Sequence, residues 1–214
     1  MRMTGAVLSV LLTCMAAVSL TGFSAASAIP PFGKDTVLVW ESHNQDVVSK
    51  LVVRVAEFFP DRYIEWEDAT TQGTIFFPNR AVTSAKGYVN SQLFEAGMDT
   101  RSKNETTLWL SQQVYRQIKT KQRLRIPVDS IPSWLTLEGT GTIKVEVNRK
   151  PVELPVLKIK DDRGSERWFL DSEENPLLAK HTIRNYTQDL VSITTDRANT
   201  LRWIKGKKLA HPPH

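Results

Sequence analysis

The chain has 214 residues, with 28 lysines and arginines against 23 aspartates and glutamates, a net charge of +5. That length suits one domain able to bury its own core, and so mild a basic excess argues against nucleic acid as a partner. A single cysteine, Cys14, excludes an intramolecular disulfide and any cysteine-built metal site.

In chain order, Arg2 supplies one early positive charge, Ala6 to Leu20 is a nearly unbroken apolar run, and Ala26-Ser27-Ala28 offers small residues for a cleavage site. The pattern predicts a secretory leader over residues 1–28. The working chain is then expected to start at Ile29, to act in the periplasm or outside the cell, and to carry no membrane-spanning segment. Lipid attachment at Cys14 is not expected. Thr13 is a poor residue before an acylated cysteine, and the apolar run continues past it.

From Asp35 the grain is strand-like. Thr36 to Trp40, Lys50 to Phe59, Tyr63 to Glu67 and Thr74 to Phe77 are β-rich, with turns predicted at Asn44-Gln45-Asp46 and Pro60-Asp61-Arg62. A short helix is expected within Ala81 to Asn90, and a polar loop over Asp99 to Glu105. Thr106 to Leu110 again favours strand. Ser111 reads as an N-cap. Leu110, Val114 and Ile118 recur every four residues and stripe one face of a helix, with Arg116, Lys119 and Lys121 towards its C-terminal end. In Thr142 to Val147 the apolar Ile143, Val145 and Val147 alternate with Thr142, Lys144 and Glu146, so a strand with one dry and one wet face is predicted. Asn148-Arg149-Lys150 turns the chain, Val152 to Lys160 returns, Asp161 to Gly164 turns again, and Glu166 to Leu170 and Tyr186 to Ile193 are further strands. The fold class is therefore mainly β (α+β): a curved antiparallel sheet or open barrel with one or two short helices, a sandwich of two sheets being the alternative. The expected organisation is one β-rich domain over 29–204 followed by a basic, disordered tail over 205–214.

Three stretches, Val147-Asn-Arg-Lys-Pro-Val-Glu-Leu-Pro-Val156, Trp168-Phe-Leu-Asp171 and Asn175-Pro-Leu-Leu178, carry a family resemblance. They resemble the closing hairpins of bacterial exported domains of unknown function with an open half-barrel sheet, of the shape used by periplasmic lipoprotein carriers. The resemblance implies a concave face that holds an acyl chain beneath a helical lid. It transfers no ligand-binding residue.

Chemistry-bearing motifs are sparse. There is no Gly-x-Ser-x-Gly elbow, no His-Glu-x-x-His and no phosphate-cradling glycine loop. Neither a cofactor nor a metal is expected. His43 and His181 read as ordinary surface histidines. Glu65 and Glu67 beside Trp66 are the candidate acids for a hydrolase of envelope polymer. The six tryptophans suggest either core or an apolar binding face. The leading expectation is a non-enzymatic domain that binds a lipid-like ligand or an envelope protein, its lining formed by Trp109, Val114, Ile118, Val145, Trp168 and Leu170. A purely structural interaction module is the remaining possibility.

Overall fold

The computed structural model describes residues 28–91, 94 and 99–196. The expected leader lies outside the described residues except for Ala28, as do Trp203 and the expected tail.

Thirteen strands join in one curved sheet. In chain order the elements are β1 (Val37–Asn44), β2 (Val47–Glu57), β3 (Arg62–Glu67), β4 (Gln72–Phe77), α1 (Asn79–Ser84), β5 (Gly87–Tyr88), β6 (Asp99–Arg101), β7 (Glu105–Thr106), α2 (Gln112–Lys121), β8 (Arg123–Val128), β9 (Ile131–Val147), β10 (Lys150–Asp161), β11 (Glu166–Leu170), β12 (Leu178–Ile183) and β13 (Tyr186–Thr194). Their spatial order is β6-β4-β3-β2-β1-β13-β12-β11-β10-β9-β8-β5-β7. The sheet also closes on itself, because the end of β13 pairs in parallel with the end of β9, Ser192 opposite Glu146 and Ile193 opposite Val147. Strands β9 to β13 thus form a ring, and the others extend from it as two wings. The expected mainly β class and curved sheet are found. The sandwich alternative is not, since every strand belongs to one sheet. Nor is the sheet wholly antiparallel: β4–β6, β5–β7 and β5–β8 pair in parallel.

The long β9–β10 hairpin explains the curvature. Opposed residues of an antiparallel pair share a face. Ile143 faces Leu154 and Val145 faces Val152, while nearer the start of β9 Leu135 faces Asp161 and Leu137 faces Ile159. All four β9 residues are odd-numbered, yet the two sets lie on opposite faces. The cause is a bulge: Lys158 pairs with Gly139 and Ile159 with Leu137, leaving Glu138 over. Gly139 sits at φ 153, a value side chains disfavour. Strand β10 shows the same exchange without a bulge, since Leu154 and Val156 are buried on one face and Leu157 and Ile159 on the other. One hairpin therefore packs apolar side chains on both of its faces.

Helix α2 forms as the sequence predicts. Ser111 caps it, its hydroxyl accepting from the Val114 amide, and Val114, Tyr115 and Ile118 are buried. It packs against α1, β8 and β9. Two expectations need correction. The helix expected within Ala81 to Asn90 is shorter and earlier, because Ala85 turns extended and Gly87 and Tyr88 enter the sheet as β5. The loop expected over Asp99 to Glu105 contains β6 and begins β7, two short edge pieces.

The Ser111 hydroxyl also donates to the Ala85 carbonyl at 2.6 Å, tying α2 to the end of α1. Ser111→Ala removes a cap and a buried hydrogen bond together and is expected to destabilise the fold by about 1–3 kcal/mol. Urea denaturation reads this directly; an unchanged midpoint would mean that the cap contributes nothing.

Candidate functional site

Four hairpin turns line up along one end of the sheet, because β1, β8, β10 and β12 all run towards it. They are Gln45-Asp46, Asp129-Ser130, Asp162 to Gly164 and Arg184-Asn185. Each uses the left-handed region: Gln45 at φ 53, Asp129 and Ser130 at 54 and 64, Gly164 at 83 and Arg184 at 51. Two successive left-handed residues at Asp129 and Ser130 match the right-handed twist of the strands they join. The rim so formed curls back on itself. The Asn90 amide and side chain donate to Asp129 at 2.8 and 2.6 Å, and the Ser91 hydroxyl donates to the Gln188 side chain on β13 at 3.0 Å.

Beneath the rim lies a buried polar cluster. The Arg167 guanidinium pairs with Asp161 at 2.9 Å and donates to the Asn90 side-chain oxygen at 3.1 Å. The other Asp161 oxygen accepts from the Arg163 and Ser165 amides at 3.0 and 2.9 Å. Burial alone would raise the Asp161 carboxyl, but the Arg167 hydrogen bond and these amides outweigh it and hold it below the usual carboxylate range. Ser165 and His181 share a hydrogen bond at 2.7 Å. Burial, with a smaller contribution from the Arg167 cation, pushes the His181 ring down to about 3, so it is neutral at physiological pH.

A serine bonded to a histidine resembles a nucleophile and its base. Here each is 1% exposed, so no reacting carbonyl reaches the hydroxyl. Both Asp161 oxygens are already engaged elsewhere, leaving no carboxylate to orient the ring. The pair is a structural plug. His181 read as a surface histidine in the sequence; the correction follows from β12, where it lies opposite Arg167 and Gln188 across the strands. Among the described residues no three His, Cys, Asp or Glu side chains gather as a metal would require.

The rim itself is apolar at its tips. Among the described residues the exposed large apolar side chains are Val47 at 65%, Val48 at 57%, Phe59 at 83%, Ile131 at 52% and Trp134 at 39%. All but Phe59 belong to it: Val47 and Val48 begin β2, and Ile131 and Trp134 begin β9. The Asp162 amide donates to the Trp134 carbonyl at 3.1 Å, which binds two turns together. Sequence reasoning missed this surface, because each residue reads as one more apolar position in a strand.

Of the six residues expected to line a ligand site, Trp109, Val114, Ile118, Val145 and Leu170 are buried within one hydrophobic cluster. Trp109 donates its indole N–H to Asn175 at 2.7 Å and lies beneath the buried Arg62 guanidinium, 5.1 Å from the ring centre. Trp168 is half-buried. Through Lys158 it shares a face with Gly139, and on β12 it pairs with Lys180. Both lysines sit over its ring, at 4.3 and 5.6 Å, and Glu166 accepts its indole N–H. Glu65 is buried, and both its oxygens accept from Arg54, at 2.8 and 2.5 Å. It is one half of an ion pair set within the sheet, and the geometry does not bring it and Glu67 together across a cleft.

The chain matches no family model, no curated protein and no solved structure.

The buried neutral histidine gives the fold a pH signature. Its ring titrates at about 3 in the fold against 6.5 in an unfolded chain. The unfolded chain therefore takes up the proton first. Stability is complete above the unfolded value and falls as pH drops from there towards the folded one, at up to ~1.4 kcal/mol per pH unit. His181→Gln is expected to lower stability at neutral pH and to flatten this slope. Urea midpoints followed from neutral pH to about pH 4 test it; an equal slope in the variant would remove His181 as the cause.

Proposed function

We propose that this chain is an exported, non-enzymatic β-rich domain that holds an envelope protein on the rim of four hairpin turns. The observation that carries the reading is that Val47, Val48, Ile131 and Trp134 are exposed on strands whose turns lie at one end of the sheet. Exposed apolar side chains gathered at turn tips on a rigid scaffold favour contact with another protein. Five of the six residues of the expected interior lining are buried in the hydrophobic core, which favours a partner at the surface over a ligand inside. The sealed Ser165–His181 pair and the Arg54-bound Glu65 favour binding over catalysis. The leader read at residues 1–28 would deliver the domain to the compartment where such a partner resides.

A photo-crosslinking residue placed at Val48 or Ile131 of the full chain, in its own host, is expected to give one discrete protein adduct. The same residue at Arg149, in the turn at the opposite end of β9, is expected to give none. Val48→Asp with Ile131→Asp should reduce an adduct formed from Trp134 by about tenfold and leave the melting temperature nearly unchanged, since both side chains are exposed. Equal adducts from Arg149, an adduct insensitive to the double variant, or lipid in place of protein would each overturn the reading.

A further inference from the structure

The chain leaves β4 at Phe77 and forms α1, and the segments around α1 border a half-open hollow of about 350 Å³. Its polar lining comes from Arg80 and Ser84 of α1, Lys86 before β5, Lys103 and Asn104 before β7, and Gln113 in the first turn of α2. Three of these are cations and none is an acid.

Some basic side chains elsewhere in the described chain find partners, though exposed cations such as Lys121, Arg125 and Arg149 form no ion pair there. Arg116 pairs with Glu173, Lys119 with Asp171, Lys180 with Asp189 and Arg54 with Glu65. Even the dense basic stretch of α2 and β8 is partly used in this way, with Arg123 lying 4.5 Å over the Trp134 ring. Arg80, Lys86 and Lys103 form no ion pair among the described residues. The nearest acid in sequence, Glu105, lies against Gly87, where a Cβ would come within 2.9 Å of its Cγ and 3.4 Å of its carboxylate Oε1, and it is not among the lining side chains. Three like charges around one hollow repel one another unless a counter-charge enters. The α2 terminus adds to the field. It has no acidic residue in its first turn, and the N-terminal end of a helix carries partial positive charge. The Asn104 and Gln113 side-chain amides add neutral donors to the three cations.

From this placement we infer that the cavity between α1, α2 and the strand β7 binds a phosphate-bearing group. A tetrahedral anion accepts several hydrogen bonds at once, which suits a guanidinium, two ammonium groups and two amides better than a planar carboxylate would. The volume exceeds that of a bare phosphate, so the group is an ester, carried either by a soluble molecule or by a lipid headgroup. The site does not depend on the rim and would stand if the rim proved inert.

The isotope-labelled full chain can be titrated with sn-glycerol 3-phosphate. Saturable shifts are expected at the amides of Ser84, Lys86, Lys103 and Gln113. Lys86→Glu with Lys103→Glu, both exposed positions, should weaken binding by at least about tenfold, whereas Lys50→Glu with Lys150→Glu should not. Vesicles of phosphatidylcholine with and without phosphatidylglycerol identify the source. Retention only on the phosphatidylglycerol vesicles, lost in the Lys86/Lys103 variant, assigns a lipid headgroup; binding of the soluble ester alone assigns a free phosphate ester. Shifts reproduced by chloride at equal ionic strength, or equal affinity in the two double variants, would overturn the proposal.

Discussion

The bulge at Glu138 and Gly139 is the constraint on which the rest of the sheet depends. A strand the length of β9 has only two faces, and regular alternation would hold its apolar side chains on one of them. By setting one residue aside, the bulge moves the odd-numbered positions from one face to the other, so that Leu135 and Val145 are both buried though they point in opposite directions. Only then can the end of β9 bend far enough to meet the end of β13. Gly139 is suited to the position because its φ lies where a side chain would be strained. Gly141, two residues on, serves the same bend differently: a Cβ there would stand 2.8 Å from the Lys158 side chain, which crosses this face towards Trp168.

Curling the sheet creates a second difficulty, and the polar cluster answers it. When the segment around Asn90 folds back over β11 and β13, the turns at that end meet around side chains that cannot all be apolar. Arg167 supplies the link. It joins Asp161 at the end of β10 to Asn90 beside β5, and Asn90 in turn grips Asp129 in the turn after β8. A lone buried guanidinium would carry a large desolvation cost. Paired with Asp161, whose second oxygen is held by two backbone amides, the charge is compensated and its direction fixed. The rim is therefore rigid for an electrostatic reason, and rigid turns can present apolar tips to a partner without first being ordered.

Much of this was legible in the sequence where local rules decide. Ser111 capped the helix, Asn148-Arg149 turned the chain, and Glu166 to Leu170 formed a strand, because each depends on neighbours within a few residues. Alternation over Ile143, Val145 and Val147 correctly gave a buried face. What alternation could not give was that the same odd-numbered rhythm continues backwards to Leu135 on the other face, since a bulge leaves no compositional mark beyond a glycine. The start of β9 was hidden for a related reason: Pro132 reads as a strand breaker, yet here it lies opposite Pro127, where neither residue has an N–H to donate. His181 was misread as a surface residue. Polar residues in a strand normally mark the wet face, and only the partner brought by pairing, Arg54 for Glu65 and Ser165 for His181, shows why these two are buried.

The same logic separates the two surfaces proposed to bind. In the interior, three polar pairs are matched, Arg54 with Glu65, Arg167 with Asp161 and Ser165 with His181, while the Trp66 indole and Tyr88 hydroxyl are buried without a hydrogen bond. Where matching stops at the surface, it stops in two chemically distinct ways. At the rim apolar side chains are left partly uncovered, Arg123 lying over one face of the Trp134 ring, and cavity formation in water makes the exposed remainder costly until something dry is laid against it. At the α1 cavity cations are left without a counter-charge, and the cost there is Coulombic and weakens with salt. A catalytic site would instead show a reactive group that is both activated and reachable. The Ser165–His181 pair is sealed from a substrate. The proposed division of labour is thus between a packed interior that sets geometry and two exposed regions whose unmet chemistry would select what binds them.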